Sequence, residues 1–169
     1  MSILNKVLMI GLVLVVSACN NSGPFGSGSD SAGAGSGAIV PGSANDPTSP
    51  LYFAETIGDR VLFVVNEAQL TPEAERILDS QAQWLSTNTD FTAIIEGHAD
   101  EQGTREYNLA LGARRATAAR EYLISRGVAG NRLKVISYGK ERPIEICSEE
   151  ACYSKNRRAV TVLSSALSS

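Results

Sequence analysis

The stretch EGHADEQGTREYNLALGARRA, residues 96–116, concentrates side chains that could do chemistry. It holds the single histidine, His98, with Glu96, Asp100 and Glu101 around it and the adjacent Arg114 and Arg115 downstream. On a strand, Glu96, His98 and Asp100 would project to the same side, which suits a general base or a metal ligand. A zinc site wants three or four protein ligands of nitrogen, sulfur or oxygen type, and one histidine does not supply them. No Gly-x-Ser-x-Gly, His-Glu-x-x-His or phosphate-binding loop occurs. No nucleophile can be nominated beside a base. The stretch therefore points away from catalysis, metal and resident cofactor.

Binding is the better use of these residues. Asp100, in a loop after a strand, can accept hydrogen bonds from an ammonium group. An arginine holds a carboxylate in a planar two-bond fork. Together they would read a zwitterion. Arg114 and Arg115 are neighbours on a helix and point about 100° apart, so only one can face the Asp100 loop. The same residue types also make a structural Asp–Arg ion pair that merely orients the loop. Residue types alone leave the two readings open.

The elements that must position these groups are legible around them. RVLFVV (60–65) is β-branched and reads as a strand. Thr71-Pro72-Glu73 is a helix start, with Thr71 as N-cap and Pro72 in the first position. Leu70, Ala74, Ile77, Leu78, Ala82 and Leu85 continue it as an apolar stripe, with Trp84 as a core anchor at its edge. FTAIIEG (91–97) is a second strand. A second helix is expected from about Arg105 to Arg126, with Leu109, Ala116, Ala119 and Leu123 on its buried side and Gly127 as its C-terminal cap. RLKVISYG (132–139) and NRRAVTVL (156–163) are two more strands, separated by Pro143 and a loop holding Cys147 and Cys152. The order β-α-β-α-β-β predicts an α+β domain, two main helices packed on a mixed four-stranded sheet.

Composition divides the chain into three. Residues 1–18 read as a signal peptide: Lys6 precedes the apolar run Val7–Val16, which is too short to span a bilayer. Residues 20–50 are Gly, Ser, Ala, Asn and Pro with few large apolar side chains, a composition that suits a flexible tether. Such a coil spans about 30 Å on average. From Leu51 to Ser169 the composition is that of one folded domain. The formal charge of −3 becomes −4 when residues 1–18, and with them Lys6, are removed, which offers no electrostatic footprint for nucleic acid. In an oxidising compartment Cys147 and Cys152 would pair as a local disulfide. A metal site there would lack a second pair of ligands.

The motifs carry a resemblance. Val16-Ser17-Ala18-Cys19 resembles the lipobox of bacterial lipoproteins, which implies lipid on Cys19, cleavage before it and, with Asn20 following, delivery to the outer membrane on its periplasmic side. EGHADEQGTREYNLALGARRA, SYGKERP (137–143) and YSKNRRAV (153–160) together resemble the OmpA-like C-terminal domain family, in particular its peptidoglycan-associated lipoproteins. That resemblance covers about Gly58 to Leu163. It implies non-covalent peptidoglycan binding without catalysis, with Asp100 and Arg115 holding the diaminopimelate of the stem peptide. His98, Ala99 and Thr104 would shape the pocket and Leu111 would wall it. In the first loop the family carries an aspartate after an aromatic residue, where this chain has Val65 and Asn66. The resemblance further implies the Tol–Pal system, with the protein TolB as a partner; a module that chiefly docks TolB is the alternative. A lysine stem lacks the second carboxylate and would leave Arg115 unpaired, typically a cost of a few kcal/mol. Gly97 and Gly103 would let the loop backbone approach a ligand, and Gly112 would serve close packing under the site.

Overall fold

The structure is a computed structural model and describes residues 39–165. The signal segment 1–18, Cys19 and the tether as far as residue 38 lie outside the described residues. So do residues 166–169.

Part of the stretch read as tether packs onto the domain. Asp46 and Ser43 close turns, Ser49 is buried, and Trp84 Nε1 donates to the Pro47 carbonyl at 2.7 Å. Small polar residues need no apolar surface to be fixed in this way: their own side chains bond the neighbouring backbone. Ser49 then caps α1 (Pro50–Tyr52), which runs into a π-helical turn, Phe53–Gly58.

β1 (Arg60–Leu62) is shorter than the expected 60–65 strand. Beyond it the chain leaves the sheet for a loop whose carbonyls are used elsewhere. α2 (Pro72–Thr87) starts as read, with Thr71 accepting from Ala74 N at 3.1 Å. Its buried side is Ala74, Leu78, Gln81, Ala82, Trp84 and Leu85. β2 (Phe91–His98) follows, then α3 (Arg105–Ser125), capped by Thr104. Gly127, at φ +97°, ends α3: its N–H bonds Ile124 O and that of Val128 bonds Leu123 O. A short 3₁₀ turn, Gly130–Arg132, leads to β3 (Leu133–Gly139), and α4 (Glu150–Asn156) precedes β4 (Arg158–Ser165).

The sheet order is β1-β4-β2-β3, with β2 parallel to β3 and antiparallel to β4. It is the mixed sheet expected, and α2 and α3 bury their apolar sides against it around Leu78, Leu85, Ile95 and Leu123. Two features differ from expectation. Leu109 is about half exposed; the buried side of α3 is Asn108, Leu111, Gly112, Arg115, Ala116, Ala119 and Leu123, so the stripe passes one residue to the side of Leu109 and carries two polar groups. The cysteine segment, read as a loop, contains α4. Cys147 and Cys152 are joined as a disulfide, Cα–Cα 5.9 Å.

Glycines set how closely α3 lies on β2. A Cβ on Gly97 would stand 1.8 Å from Gly112 O, and one on Gly112 would stand 2.8 Å from Gly97 O and 2.5 Å from Ser137 Oγ. Gly112 serves close packing, as expected. Gly97 serves the same contact rather than ligand approach, because its Cβ direction is filled by the helix.

Candidate functional site

β2 ends at His98, where its register with β3 shifts, and releases the loop Ala99–Thr104. The loop is held from several sides. Ala99 N donates to Gly139 O at 2.8 Å. Asn108 Nδ2 donates to Gln102 O at 2.8 Å. Lys140 Nζ donates to Gly103 O at 2.7 Å and Glu101 O at 3.3 Å. Gly103 adopts φ +90°, where a side chain would be strained. Thr104 leaves the loop as the N-cap of α3, accepting from Tyr107 N at 3.2 Å.

Asp100 sits in this loop at 7 % exposure. Its Oδ1 accepts from Gln102 N at 3.2 Å and its Oδ2 from Arg157 Nη1 at 3.2 Å. Each oxygen keeps a lone pair. Arg157 also donates from Nε to Phe63 O at 3.2 Å and from both terminal nitrogens to Glu150. The Glu150 partner raises the pKa of Arg157 above its ordinary value, and Arg157 in turn lowers that of Glu150.

Arg115 and Arg114 divide as the helix geometry requires: Arg114 is exposed and Arg115 is fully buried. The Arg115 guanidinium does not fork a carboxylate. It donates from Nε to Glu67 O at 2.8 Å, from Nη1 to His98 O at 2.9 Å and from Nη2 to Val64 O at 3.0 Å, and it lies over the Phe63 ring at 5.3 Å. Burial, opposed by the charge of Asp100, pulls its pKa down to about 10, which leaves it charged at neutral pH. Arg115 thus ties the β1–α2 loop to the end of β2 from beneath.

Asn66 lies on the other side of the site, in that β1–α2 loop. It has φ +57°, a conformation that asparagine adopts more readily than most residues. Its Oδ1 is 3.5 Å from Tyr107 Oη. Val64, Val65 and Tyr107 are partly exposed beside it.

The other expected residues take framing positions. His98 is 2 % exposed, with its ring against Tyr138 at 5.5 Å and Arg142 above the Tyr138 ring at 3.6 Å. Among the described residues neither ring nitrogen has a hydrogen-bond partner, and Glu96 Oε2 is 3.7 Å from Nε2. Burial first, then the charges of Arg158 and Arg142, pulls the pKa of His98 down to about 4. The imidazole is thus neutral at neutral pH and packed at the start of the loop. Ala99 and Leu111 are both buried, at 3 %. Among the described residues no group of three or more His, Cys, Asp and Glu side chains could hold a metal ion.

Sequence reasoning does not single out Arg157, Asn108 or the backbone of the β1–α2 loop. Asn108 carries a signal, as a polar residue on the buried side of α3. Arg157 lies in the YSKNRRAV block, but nothing local points to its partner Asp100, far away in the sequence. A cavity of about 670 Å³ between β1 and the start of α2, lined by Leu62, Val64, Ala74, Ile77 and Ile144 among others, holds none of the expected site residues.

A family model described as the OmpA family matches residues 62–157. The chain is 47 % identical over 167 residues to a peptidoglycan-associated lipoprotein of Rhizobium meliloti, covering 98 % of this chain and 92 % of that one. It is 49 % identical over 161 residues to one of Mesorhizobium japonicum, covering 94 % and 92 %. The crystal structure of the peptidoglycan-associated lipoprotein from Burkholderia pseudomallei superposes with a TM-score of 0.64 at 36 % identity, covering 72 % of this chain and 98 % of that one. The C-terminal domain of Helicobacter pylori MotB shares the fold, with a TM-score of 0.60 at 22 % identity, covering 63 % of this chain and 84 % of that one.

Proposed function

The chain belongs to the OmpA family, among its peptidoglycan-associated lipoproteins, and from that premise we propose that its folded domain binds peptidoglycan non-covalently at the Asp100 loop. The ligand group is the diaminopimelate of the stem peptide, an ammonium beside a carboxylate. The observation that carries the reading is Asp100 itself: a carboxylate rigidly held, little exposed, with one lone pair left on each oxygen. Behind it, Arg115 is a buried cation whose partners are neutral carbonyls, so its charge favours an incoming carboxylate. Three of its five N–H groups are in use, which makes it first the frame of the pocket and only then a contact.

The rest of the proposal follows the lipoprotein group. Lipid on Cys19 would anchor the chain in the outer membrane, and the domain would face the periplasm without catalysing a reaction. The chain would serve the Tol–Pal system, with TolB as a second partner. Two or three acyl chains hold firmly where one does not, and no helix among the described residues is long and apolar enough to cross a membrane.

Sedimentation with purified diaminopimelate-type sacculi tests the site. Asp100→Asn, which keeps the shape and removes the charge, is expected to lower retention about tenfold. Wild-type retention by this variant would sink the assignment, and equal retention of wild type on lysine-type sacculi would sink the choice of ligand.

A further inference from the structure

We propose that the disulfide-closed turn Cys147–Cys152 positions Asp100 for its ligand, acting through Glu150 and Arg157; the proposal rests on the reading that Asp100 meets the stem peptide. Arg157 is the only ion-pair partner of Asp100 among the described residues. Its guanidinium is fixed from two sides. Nε is held by the Phe63 carbonyl just past the end of β1, and the terminal nitrogens are held by Glu150. Where Glu150 stands therefore decides how Arg157 presents Nη1 to Asp100 Oδ2.

Glu150 is the first residue of α4, and its side chain is two-thirds exposed. Core packing does not hold it there. α4 has seven residues, too few to be stable alone. Its N-cap, Glu149, makes no side-chain capping bond, so the usual device for fixing a first turn is missing. The far end of α4 is secured separately: Asn156 accepts from Ile144 N and Glu145 N and donates to Glu145 O. The near end is secured by the Cys147–Cys152 bond, which bridges from ahead of the helix into its first turn.

The same turn grips the loop a second time. Ser148 Oγ and Tyr153 Oη both donate to Glu101 Oε1, at 3.1 and 3.0 Å. Glu101 is thus held directly by side chains within or beside the disulfide ring, and Asp100 is held indirectly, through Arg157 and Glu150. Opening the ring would free Glu150 from Arg157, let the Asp100 carboxylate rotate, and release Glu101, while the sheet and the far end of α4 keep their own bonds.

The test measures affinity of the full chain for a tripeptide ending in meso-diaminopimelate. The variants are Glu150→Ala and the double Cys147→Ser/Cys152→Ser, each also made together with Asp100→Asn. Circular dichroism confirms that each is folded at the assay temperature; Glu150 is exposed, so its removal leaves the core intact. Each variant is expected to weaken binding about fivefold when the Asp100 carboxylate is present and less than about twofold in the Asp100→Asn background, the non-additivity of residues acting through one contact. Wild-type affinity in both variants overturns the proposal. An equal loss with and without the Asp100 carboxylate also overturns it, because the turn would then act elsewhere. Wild-type affinity of Asp100→Asn alone overturns the reading of the site, and the turn's role with it.

Discussion

Asp100 and Arg115, at the start of the β2–α3 loop and beneath it, form no ion pair with each other: Asp100 is joined to Arg157 at 3.2 Å, and Arg115 to the carbonyl oxygens of Val64, Glu67 and His98. The two residues that the motif suggests as equal jaws therefore have different tasks. Asp100 stands in the β2–α3 loop and accepts one hydrogen bond on each carboxylate oxygen. Arg115 stands beneath it, joining the β1–α2 loop to the end of β2. Carbonyls and not a carboxylate satisfy it, so the Arg115 charge has no ion-pair partner among the described residues.

The framing role of Arg115 predicts a stability effect that a surface ligand contact would not have. Lysine keeps the charge but offers one donor centre, so Arg115→Lys would leave two of the three carbonyls, one buried and two partly buried, without their partner. Each such loss costs about 1–3 kcal/mol, and the expected destabilisation is about 3 kcal/mol in urea unfolding. Asp100→Asn, compared in the same experiment, is expected to stay within about 1.5 kcal/mol of wild type. A variant Arg115→Lys as stable as wild type would remove the frame from this account.

How much of this is legible in the sequence follows the range of the interactions. α2 is readable because Thr71, Pro72 and the apolar stripe are local signals, and the structure keeps them. α3 is readable in extent, from about Arg105 to Arg126 with Gly127 as its cap, but periodicity misplaces its buried face at Leu109. Periodicity counts apolar residues, and this helix buries Asn108 and Arg115 where an apolar residue would be sought. Asp100 and Arg115 stand out because they sit in one motif. Arg157 lies in plain view in NRRAV, yet its partners Phe63 and Asp100 come from the end of β1 and the far loop, and no local pattern announces a contact of that range. α4 escapes because a seven-residue helix has no periodicity to read; its disulfide and Asn156 hold it instead.

The contact of α3 on β2 predicts an asymmetric pair of glycine variants. In Gly97→Ala the new methyl would meet the Gly112 carbonyl oxygen at 1.8 Å, a backbone atom that cannot turn aside. The helix would have to lift from the strand, at a cost of about 3 kcal/mol or more. In Gly112→Ala the nearest atom is Ser137 Oγ at 2.5 Å, which can rotate at the loss of its bond to Leu109 O, although Gly97 O at 2.8 Å still crowds the methyl. Urea midpoints are expected to rank wild type above Gly112→Ala and Gly112→Ala above Gly97→Ala. Because the lifted helix carries Arg115 and Asn108, binding to sacculi should fall in the same order. The reverse ranking would mean that the close approach is not what the two glycines serve.

His98 predicts how stability depends on pH. Its ring is buried against Tyr138, with Arg142 and Arg158 as the nearby cations and Glu96 the nearby acid, and its pKa falls from 6.5 to about 4 in the folded chain. Between those values the unfolded chain binds a proton that the folded chain does not. Stability therefore falls as pH falls from 6.5 towards 4, and the His98 contribution levels off below the folded value. Over the upper part of that window, from about pH 6.5 to about 5, the loss is about 2 kcal/mol. The lowered carboxylates, Asp46 and Glu150, act in a more acid window, since their contributions are present above their ordinary values of 3.8 and 4.5 and are lost as pH falls through the folded ones. His98→Gln removes the proton site and keeps a polar side chain of similar reach. Urea unfolding at several pH values should show wild type losing stability between about pH 6.5 and about 5 while His98→Gln stays flat. Parallel curves for the two proteins would mean that the slope belongs to another group, and that His98 is not the buried neutral imidazole the packing makes it.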